Sequence, residues 1–157
     1  MDEKQKSFMQ RAIDLSISSI ENEGGPFGAV IVKDGQIIAE HSNSVTLDND
    51  PTAHAEVNTI RKACQNLETY DLKGCEIYSS CEPCPMCLGA IYWSRLDALY
   101  YANTKNDAAA IGFDDSFIYK ELDTEVSERR VLTKQLMRSE ALKAFKNWDN
   151  MANKKNY

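Results

Sequence analysis

The stretch SSCEPCPMC, residues 79–87, limits more than any other feature how this chain can fold. Three cysteines recur in it at every third position and two prolines separate them: Cys81, Cys84 and Cys87, with Pro83 and Pro85. A proline disfavours the α conformation in the residue that precedes it and is well suited to the first position of a helix. We therefore predict an extended segment up to Cys84 and a helix that begins at Pro85.

This predicted helix start brings two of the three thiols together. Cys84 would be the N-cap residue and Cys87 the third helical residue, and side chains at these positions reach toward each other across a helix start. The positive end of the helix dipole favours thiolates there. Because zinc is typically held by such paired sulfur ligands, the two residues are candidate zinc ligands.

Cys81 is expected to lie apart from this pair. Glu82 also precedes a proline and should be extended, and three extended residues span roughly 10 Å between Cα atoms. We therefore interpret Cys81 as a bystander at the end of a strand. The alternative is a turn that folds Cys81 back as a third sulfur ligand.

A histidine is the expected third ligand, and the chain has two. His41 lies in a predicted strand among polar residues and is interpreted as a partly exposed strand residue. His54 lies in TAHAEV, near the start of a predicted helix, with Glu56 two residues further on. Because Cβ bonds tilt toward the N-terminus of a helix, a metal near that end can be reached from both residues.

Three protein ligands leave zinc one position for water, which is typical of catalytic rather than structural zinc sites. Glu56 would act as the base that holds this water. Without the three ligands, a solvated helix glutamate would be the default interpretation of Glu56.

The remaining sequence predicts an α/β fold with a mixed sheet. The runs FGAVIVK and QIIAEHSN are rich in β-formers and are joined by Asp34-Gly35, a strong hairpin signal. The later strands CEIYSS and DALYYA alternate with helices, which implies parallel pairing. Asp50 and Pro51 predict the N-cap and first turn of the helix that carries Glu56. Helical patterns are present in residues 5–22 and 139–153, and no structure is predicted for residues 121–137.

Composition narrows the class of function. The 157 residues suit one domain with a real core. A net charge of −6 argues against a broad nucleic-acid surface.

The N-terminal MDEKQKSFMQRAIDL has no apolar signal core, and no apolar run approaches the roughly 20 residues of a membrane span. A cytoplasmic protein without membrane contact is expected. Five cysteines, three of them crowded together, suggest metal or redox chemistry in such a compartment.

The combined pattern is a known signature. His54-Ala55-Glu56 followed by Pro83-Cys84-Pro85-Met86-Cys87 matches the H-x-E and P-C-x-x-C motifs of zinc-dependent nucleobase and nucleoside deaminases. The chain resembles the guanine deaminases of the cytidine deaminase superfamily, notably through GFDDSFIYKE and the terminal ANKKNY. The resemblance extends over nearly the whole chain, from GGPFGAVIVKDG to the tail.

The resemblance implies a three-layer α/β/α fold with a mixed central sheet, formed by one deaminase domain over residues 1–157. It assigns one zinc ion per subunit to His54, Cys84 and Cys87, and proton transfer to Glu56. It also implies a homodimer in which the C-terminal segment, about residues 138–157, crosses to the partner and closes the site.

A substrate pocket follows from the same resemblance, with these residues: Phe27, Asn43, Ala55, Trp93, Asp114, Asp115 and Tyr157. We favour Asp115 as the catalytic acidic partner, because guanine presents N–H donors. Structural alternatives are strong for Phe27, which could belong to the core, and for the two aspartates, either of which could cap a loop.

The function implied is zinc-dependent hydrolytic deamination of a purine base, guanine to xanthine and ammonia, in purine salvage or catabolism. A tRNA adenosine deaminase, or a deaminase of another amino-heterocycle such as cytosine, shares the motif and is the alternative. A third hypothesis is a non-enzymatic binding module with a structural zinc that has Cys81 as fourth ligand.

Overall fold

A computed structural model describes residues 2–157. Its helices and strands alternate along most of the chain: α1 (Glu3–Glu21), β1 (Gly28–Lys33), β2 (Gln36–Ser42), α2 (Val45–Asp48), α3 (Ala55–Leu67), β3 (Cys75–Cys81), α4 (Pro85–Trp93), β4 (Ala98–Asn103), α5 (Lys105–Ala110), α6 (Ser116–Asp123) and α7 (Arg138–Asp149). A 3₁₀ turn spans Val126–Glu128. The chain forms two compact units, of which the first ends at Asp115 and the second begins at Ser116.

The first unit is built on a four-stranded sheet with the order β2-β1-β3-β4. β1 is antiparallel to both of its neighbours, and β3 and β4 are parallel. Consequently β2, β3 and β4 run in the same direction, and their carboxyl ends share one edge of the sheet. The predicted mixed sheet is confirmed, and so is the hairpin, because Asp34 and Gly35 both have the positive φ that a tight type I′ turn requires.

Helices cover both faces of this sheet, as the expected three-layer α/β/α fold requires. On one face, α3 and α4 pack on alternate strand residues in a core that includes Ile31, Ile60, Ile77 and Ile91. On the other face, α1 packs through Ala12 on Val30, Val32 and Tyr78. The two cores together enclose β1 and β3, the central strands.

Close contact between α1 and β1 depends on a glycine. A Cβ atom on Gly28 would lie 2.4 Å from the carbonyl oxygen of Ala12. Because this neighbour is backbone and cannot turn aside, a larger residue at position 28 would push α1 off the sheet. The first helix therefore packs where the sequence has its smallest side chain.

One local prediction is wrong. Asp50 and Pro51 do not start α3, which begins five residues after Asp50, at Ala55, with His54 as its N-cap. The side chain of Asp50 instead accepts hydrogen bonds from the backbone N–H and the hydroxyl of Thr52, at 2.8 and 2.7 Å. This local turn satisfies Asp50 without a helix.

The second unit contains α6, the 3₁₀ turn and α7, and neither helix contains a buried residue. The predicted C-terminal helix is confirmed by α7. Within this unit the backbone N–H of Arg130 donates to Glu121, and the Arg130 guanidinium lies 5.4 Å from the ring centre of Phe117. No helix of the described residues is long and apolar enough to cross a membrane. A single domain over residues 1–157 stays a prediction.

Candidate metal and catalytic site

The start of α4 has the geometry that its prolines predict. Cys84 is the N-cap residue, with φ −66° and ψ 168°, and Pro85 is the first helical residue. Cys87 therefore occupies the third helical position and is fully buried. Because β3 delivers the chain to this helix, the two thiols lie at the carboxyl edge of the sheet.

His54 reaches the same edge from α3. It is the N-cap of that helix, in an extended conformation with φ −71° and ψ 154°. Its Nδ1 atom lies 3.6 Å from Sγ of Cys84 and 3.4 Å from Sγ of Cys87. The three ligand atoms lie within 4.8 Å of one another. Two helix starts, 30 residues apart in sequence, thus bring one imidazole and two sulfurs together.

These three donors fit a zinc ion. Imidazole nitrogen and cysteine sulfur are the ligands that Zn²⁺ favours, and three protein ligands is the number found in catalytic zinc sites. The electrostatics agree, since the pKa of Cys84 is lowered to about 4 by a hydrogen bond from Cys87 and by another with His54. A thiolate at this position is the form that binds a metal.

Cys81 lies outside this cluster. It is the last residue of β3, and its thiol donates to the carbonyl oxygen of Thr104 at 3.7 Å. Burial raises the pKa of this thiol to about 11. The prediction that Cys81 remains at the end of the strand is confirmed. The pKa of its thiol is raised, whereas that of Cys84 is lowered.

Glu56 lies against the cluster from the first turn of α3. The residue is 6% exposed. Its Oε2 atom is 3.3 Å from Sγ of Cys87, and its Oε1 atom accepts a hydrogen bond from Ser79 at 3.0 Å. Burial raises the pKa of the carboxyl group above its usual range. A raised pKa lets a carboxyl group hold a proton as well as release it, as a general acid or base must.

Asn43 follows β2 and reaches the same edge of the sheet. It is buried, its backbone N–H donates to the carbonyl oxygen of Phe27 at 3.0 Å, and its Oδ1 accepts from the N–H of Val45 at 3.2 Å. Its amide N–H₂ group has no hydrogen bond among those described. In the chain, Asn43 is the first residue of the segment that joins β2 to α3.

Phe27 contacts Phe113, which precedes Asp115 by two residues in the sequence. The rings of Phe27 and Phe113 meet edge to face, with centres 5.0 Å apart, which places the segment that carries Asp114 and Asp115 beside the start of β1. The pKa of Asp115 is raised by burial and by the negative charge of Cys84. Asp115 ends the first compact unit, and its role beside the thiol cluster stays a prediction.

Two expected pocket residues are not brought to the cluster by the first unit. Trp93 is the last residue of α4, about 12 Å along the helix axis from Pro85, and is 69% exposed. Tyr157 belongs to the second unit. Ala55, by contrast, is buried beside His54 as the first residue of α3. Roles for Trp93 and Tyr157 in substrate binding stay predictions.

Sequence reasoning missed two side chains that hold the site together, Ser79 and Asn58. The Nδ2 atom of Asn58 lies 3.3 Å from the carbonyl oxygen of Ser42, 2.9 Å from Oγ of Ser44 and 3.2 Å from the carbonyl oxygen of Ala53. Asn58 thus joins the segment of Asn43 to the residue before His54. The available signal for Asn58 was a polar residue in the first turn of α3, between the buried residues Val57 and Ile60.

Comparison with known proteins agrees with this geometry. The family model described as the cytidine and deoxycytidylate deaminase zinc-binding region matches residues 2–103. Guanine deaminase of Bacillus subtilis is 57% identical over 153 residues, 97% of this chain and 98% of its own. A tRNA-specific adenosine deaminase of Buchnera aphidicola is 32% identical over 141 residues, 90% of this chain and 91% of its own.

A solved structure shows the same likeness in three dimensions. The X-ray structure of guanine deaminase from Bacillus subtilis superimposes with a TM-score of 0.95 at 56% sequence identity. The match covers 100% of this chain and 99% of the other. The likeness therefore extends through both compact units of the chain.

Proposed function

This chain belongs to the cytidine and deoxycytidylate deaminase zinc-binding family, and from that premise we propose that it is a guanine deaminase. The reaction adds water to guanine and yields xanthine and ammonia: a C2–O bond forms and the bond from C2 to the exocyclic nitrogen breaks. The observation that carries the proposal is the extent of the likeness to guanine deaminase, which is far higher than to a tRNA-specific deaminase at comparable coverage.

His54, Cys84 and Cys87 would hold the zinc ion. When bound, zinc supplies Lewis acidity, which lowers the pKa of a coordinated water toward neutrality. The two sulfur ligands and the imidazole come from helix N-termini, so the site is held by rigid elements rather than by a flexible loop. Water attack would then occur at the carboxyl edge of the sheet, where ligands of α/β proteins commonly bind.

Glu56 would carry the protons of the reaction. Its Oε2 atom lies on the side of the carboxylate that faces Cys87, so it is the oxygen directed toward the cluster. Glu56 would take one proton from the attacking water and deliver it to a ring nitrogen. It would then take the second proton, from the hydroxyl group now on C2, and deliver it to the leaving amine as the C2=O bond forms. Burial raises the pKa of this carboxyl group, which favours its protonated form between the two transfers.

Asn43 and Asp115 would orient the base. A carboxylate accepts hydrogen bonds from the N–H groups that guanine presents, and the amide of Asn43 offers both a donor and an acceptor. Phe27 and Ala55 would contact the ring, and of the two neighbouring carboxylates, Asp114 and Asp115, we favour Asp115. Release of ammonia from guanine, compared with other bases, tests the proposal as a whole.

Charge favours a small substrate over tRNA. The whole chain carries a net charge of −6, and its first unit has nine Lys and Arg residues against 18 Asp and Glu residues. A protein that holds the tRNA backbone needs a basic surface to neutralise phosphates. The unit that contains the site is instead strongly acidic.

We also propose that a second copy of the chain completes the site. The second unit has nine Lys and Arg residues against six Asp and Glu residues, so its net charge is opposite to that of the first unit. Its C-terminal segment also exposes several large apolar side chains: Phe145, Trp148, Met151 and Tyr157. Opposite charge and exposed apolar surface favour packing of the C-terminal segment, about residues 138–157, on a partner chain.

Mixed dimers test this segment exchange. Glu56→Gln and Tyr157→Ala chains should each have little activity alone. If Tyr157 acts on the partner's site, one site of each mixed dimer is intact, and an equal mixture should regain roughly a quarter of wild-type activity. A mixture as inactive as its components would contradict the exchange.

The five cysteines support a cytoplasmic location, which we also propose. All of them are free thiols in the structure, including the three outside the metal site: Cys64, Cys75 and Cys81. Free, buried thiols are typical of proteins kept in a reducing compartment.

A further inference from the structure

Ser79 is a buried hydroxyl that the established motifs do not include. It lies in β3, is 2% exposed, and donates a hydrogen bond to Oε1 of Glu56 at 3.0 Å. Side chains alternate between the two faces of a strand, so Ser79 lies on the same face as Cys75 and Ile77, which belong to the core under α3. The apolar row of Cys75 and Ile77 is therefore continued by a polar side chain, Ser79, where this face of the sheet meets Glu56.

The hydrogen bond fixes one oxygen of Glu56 and thereby directs the other. Oε1 is held by the strand through Ser79, while Oε2 lies 3.3 Å from Sγ of Cys87 on α4. A glutamate side chain has three rotatable bonds, and rotation of its carboxyl group would exchange or misdirect the two oxygens. The hydrogen bond from Ser79 opposes this rotation, because the hydroxyl is held in a buried, central strand of the sheet.

We infer that Ser79 is a positioning residue for the proton-transferring carboxylate of Glu56. This inference rests on the proposed function, because it assigns Ser79 to the proton-transfer step. Among the described hydrogen bonds, the Ser79 hydroxyl has none to His54, Cys84 or Cys87, so we assign its effect to the orientation of Glu56. It should therefore influence the chemical step while leaving zinc content and substrate affinity near their wild-type values.

The competing interpretation is that the Ser79 hydroxyl only satisfies a polar group in the core. Two replacements of Ser79 that are isosteric with each other separate the interpretations. Thr and Val have the same shape, but Thr retains the hydroxyl and Val does not. Any cost of the extra methyl group in this packed site is common to both variants.

The chain also offers a matched control in the next residue. Ser80 is buried to the same degree in the same strand, but points to the other face, where its Oγ accepts a hydrogen bond from the N–H of Gly28 at 3.0 Å. Ser80→Ala removes a buried hydroxyl without touching Glu56. It should lower the melting temperature and leave kcat near wild type.

The experiment compares Ser79→Ala, Ser79→Val, Ser79→Thr and Ser80→Ala for kcat and KM with guanine and for zinc content. We expect kcat to fall about 10- to 100-fold in Ser79→Ala and Ser79→Val, with KM and zinc near wild type, since a misplaced catalytic group costs this much. Ser79→Thr should restore most of kcat. Wild-type kcat in Ser79→Val, or an equal loss in Ser79→Thr, would overturn the inference.

Crystal structures of the same variants give a readout that does not depend on activity. Glu56 should keep its side-chain rotamer in Ser79→Thr and adopt a different or mixed one in Ser79→Val. An unchanged Glu56 in Ser79→Val would also overturn the inference. If the wild-type protein releases no ammonia from guanine, the proposed function fails, and these structures still decide whether Ser79 orients Glu56.

Discussion

The carboxylate of Glu56 faces the sulfur of Cys87, with Oε2 3.3 Å from Sγ. The proton-transfer group and a metal ligand therefore share one enclosed site, although they come from different helices. Since Glu56 is also beside Ser79 on β3, both of its oxygens are oriented by the protein before any substrate binds. This arrangement is preorganised, which is what proton transfer at a fixed position requires.

Glu56→Gln should separate catalysis from metal binding. Glutamine has the same size but cannot carry the proton, so kcat should fall by about 10² to 10⁴, the usual contribution of a general acid or base. His54, Cys84 and Cys87 are unchanged, and zinc measured by atomic absorption should stay at the wild-type level. Activity near wild type would rule out Glu56 as the proton carrier.

Removal of the metal should abolish activity while leaving most of the fold. The two hydrophobic cores, around Ile31 and Ile77 and around Val30 and Tyr78, include none of the three metal ligands and do not need an ion. After chelation, far-UV circular dichroism should stay near that of the loaded protein, and the melting temperature should fall, because a bound ligand stabilises the folded state. Zinc should restore activity.

A structural zinc site predicts the opposite result of chelation. The domain would then unfold with the loss of the metal. X-ray absorption of the loaded protein gives an independent count of sulfur ligands. Two sulfurs agree with Cys84 and Cys87, whereas three would add Cys81 and contradict an open catalytic site.

Asp115→Asn and Asp114→Asn form a matched pair for substrate recognition. Burial and the negative charge of Cys84 raise the pKa of the Asp115 carboxyl group, the group expected to accept from the base. Loss of a charged hydrogen-bond partner costs about 1.5–3 kcal/mol, so Asp115→Asn should lower kcat/KM for guanine roughly 10- to 100-fold. Asp114→Asn should change it much less. Equal effects of the two substitutions would contradict the assignment of Asp115.

Asn58 should connect substrate affinity to metal affinity. Its amide bridges the segment of Asn43 and the residue before His54, so Asn58→Leu should raise KM for guanine and weaken zinc binding together. Asn66 offers the control, because it is on the same helix and its amide donates to the carbonyl oxygen of Ile38 at 2.7 Å, away from the site. Asn66→Leu should affect stability alone. Identical kinetic effects of the two would show that Asn58 has no such role.

The sequence predicts best where short-range stereochemistry decides. Pro85 and the residue before it determine the helix start at Cys84, and Asp34-Gly35 determines the hairpin, since few backbone conformations suit those residues. The same reasoning is wrong for Asp50 and Pro51, where two good helix-start residues form a turn instead. Asp50 is satisfied by Thr52, and local sequence does not show which partner the carboxylate will find.

Other parts of the site depend on contacts between distant residues. The pairing of Ser79 with Glu56 joins residues 23 positions apart and follows from the packing of α3 on β3. The position of Asp115 depends likewise on the contact between Phe27 and Phe113. Such contacts follow from tertiary packing rather than from local sequence pattern. After residue 103 the strand signals end, so the sequence predicts little of the structure there.

The central claim is that guanine is the substrate, and a panel of bases tests it most directly. Purified, zinc-loaded protein is incubated with guanine, adenine, cytosine, their nucleosides and tRNA, and ammonia release is measured with Glu56→Gln as the blank. The proposal predicts ammonia and an equal amount of xanthine from guanine, at a rate well above that for the other substrates. No ammonia from guanine, together with deamination of adenosine in tRNA, would contradict it.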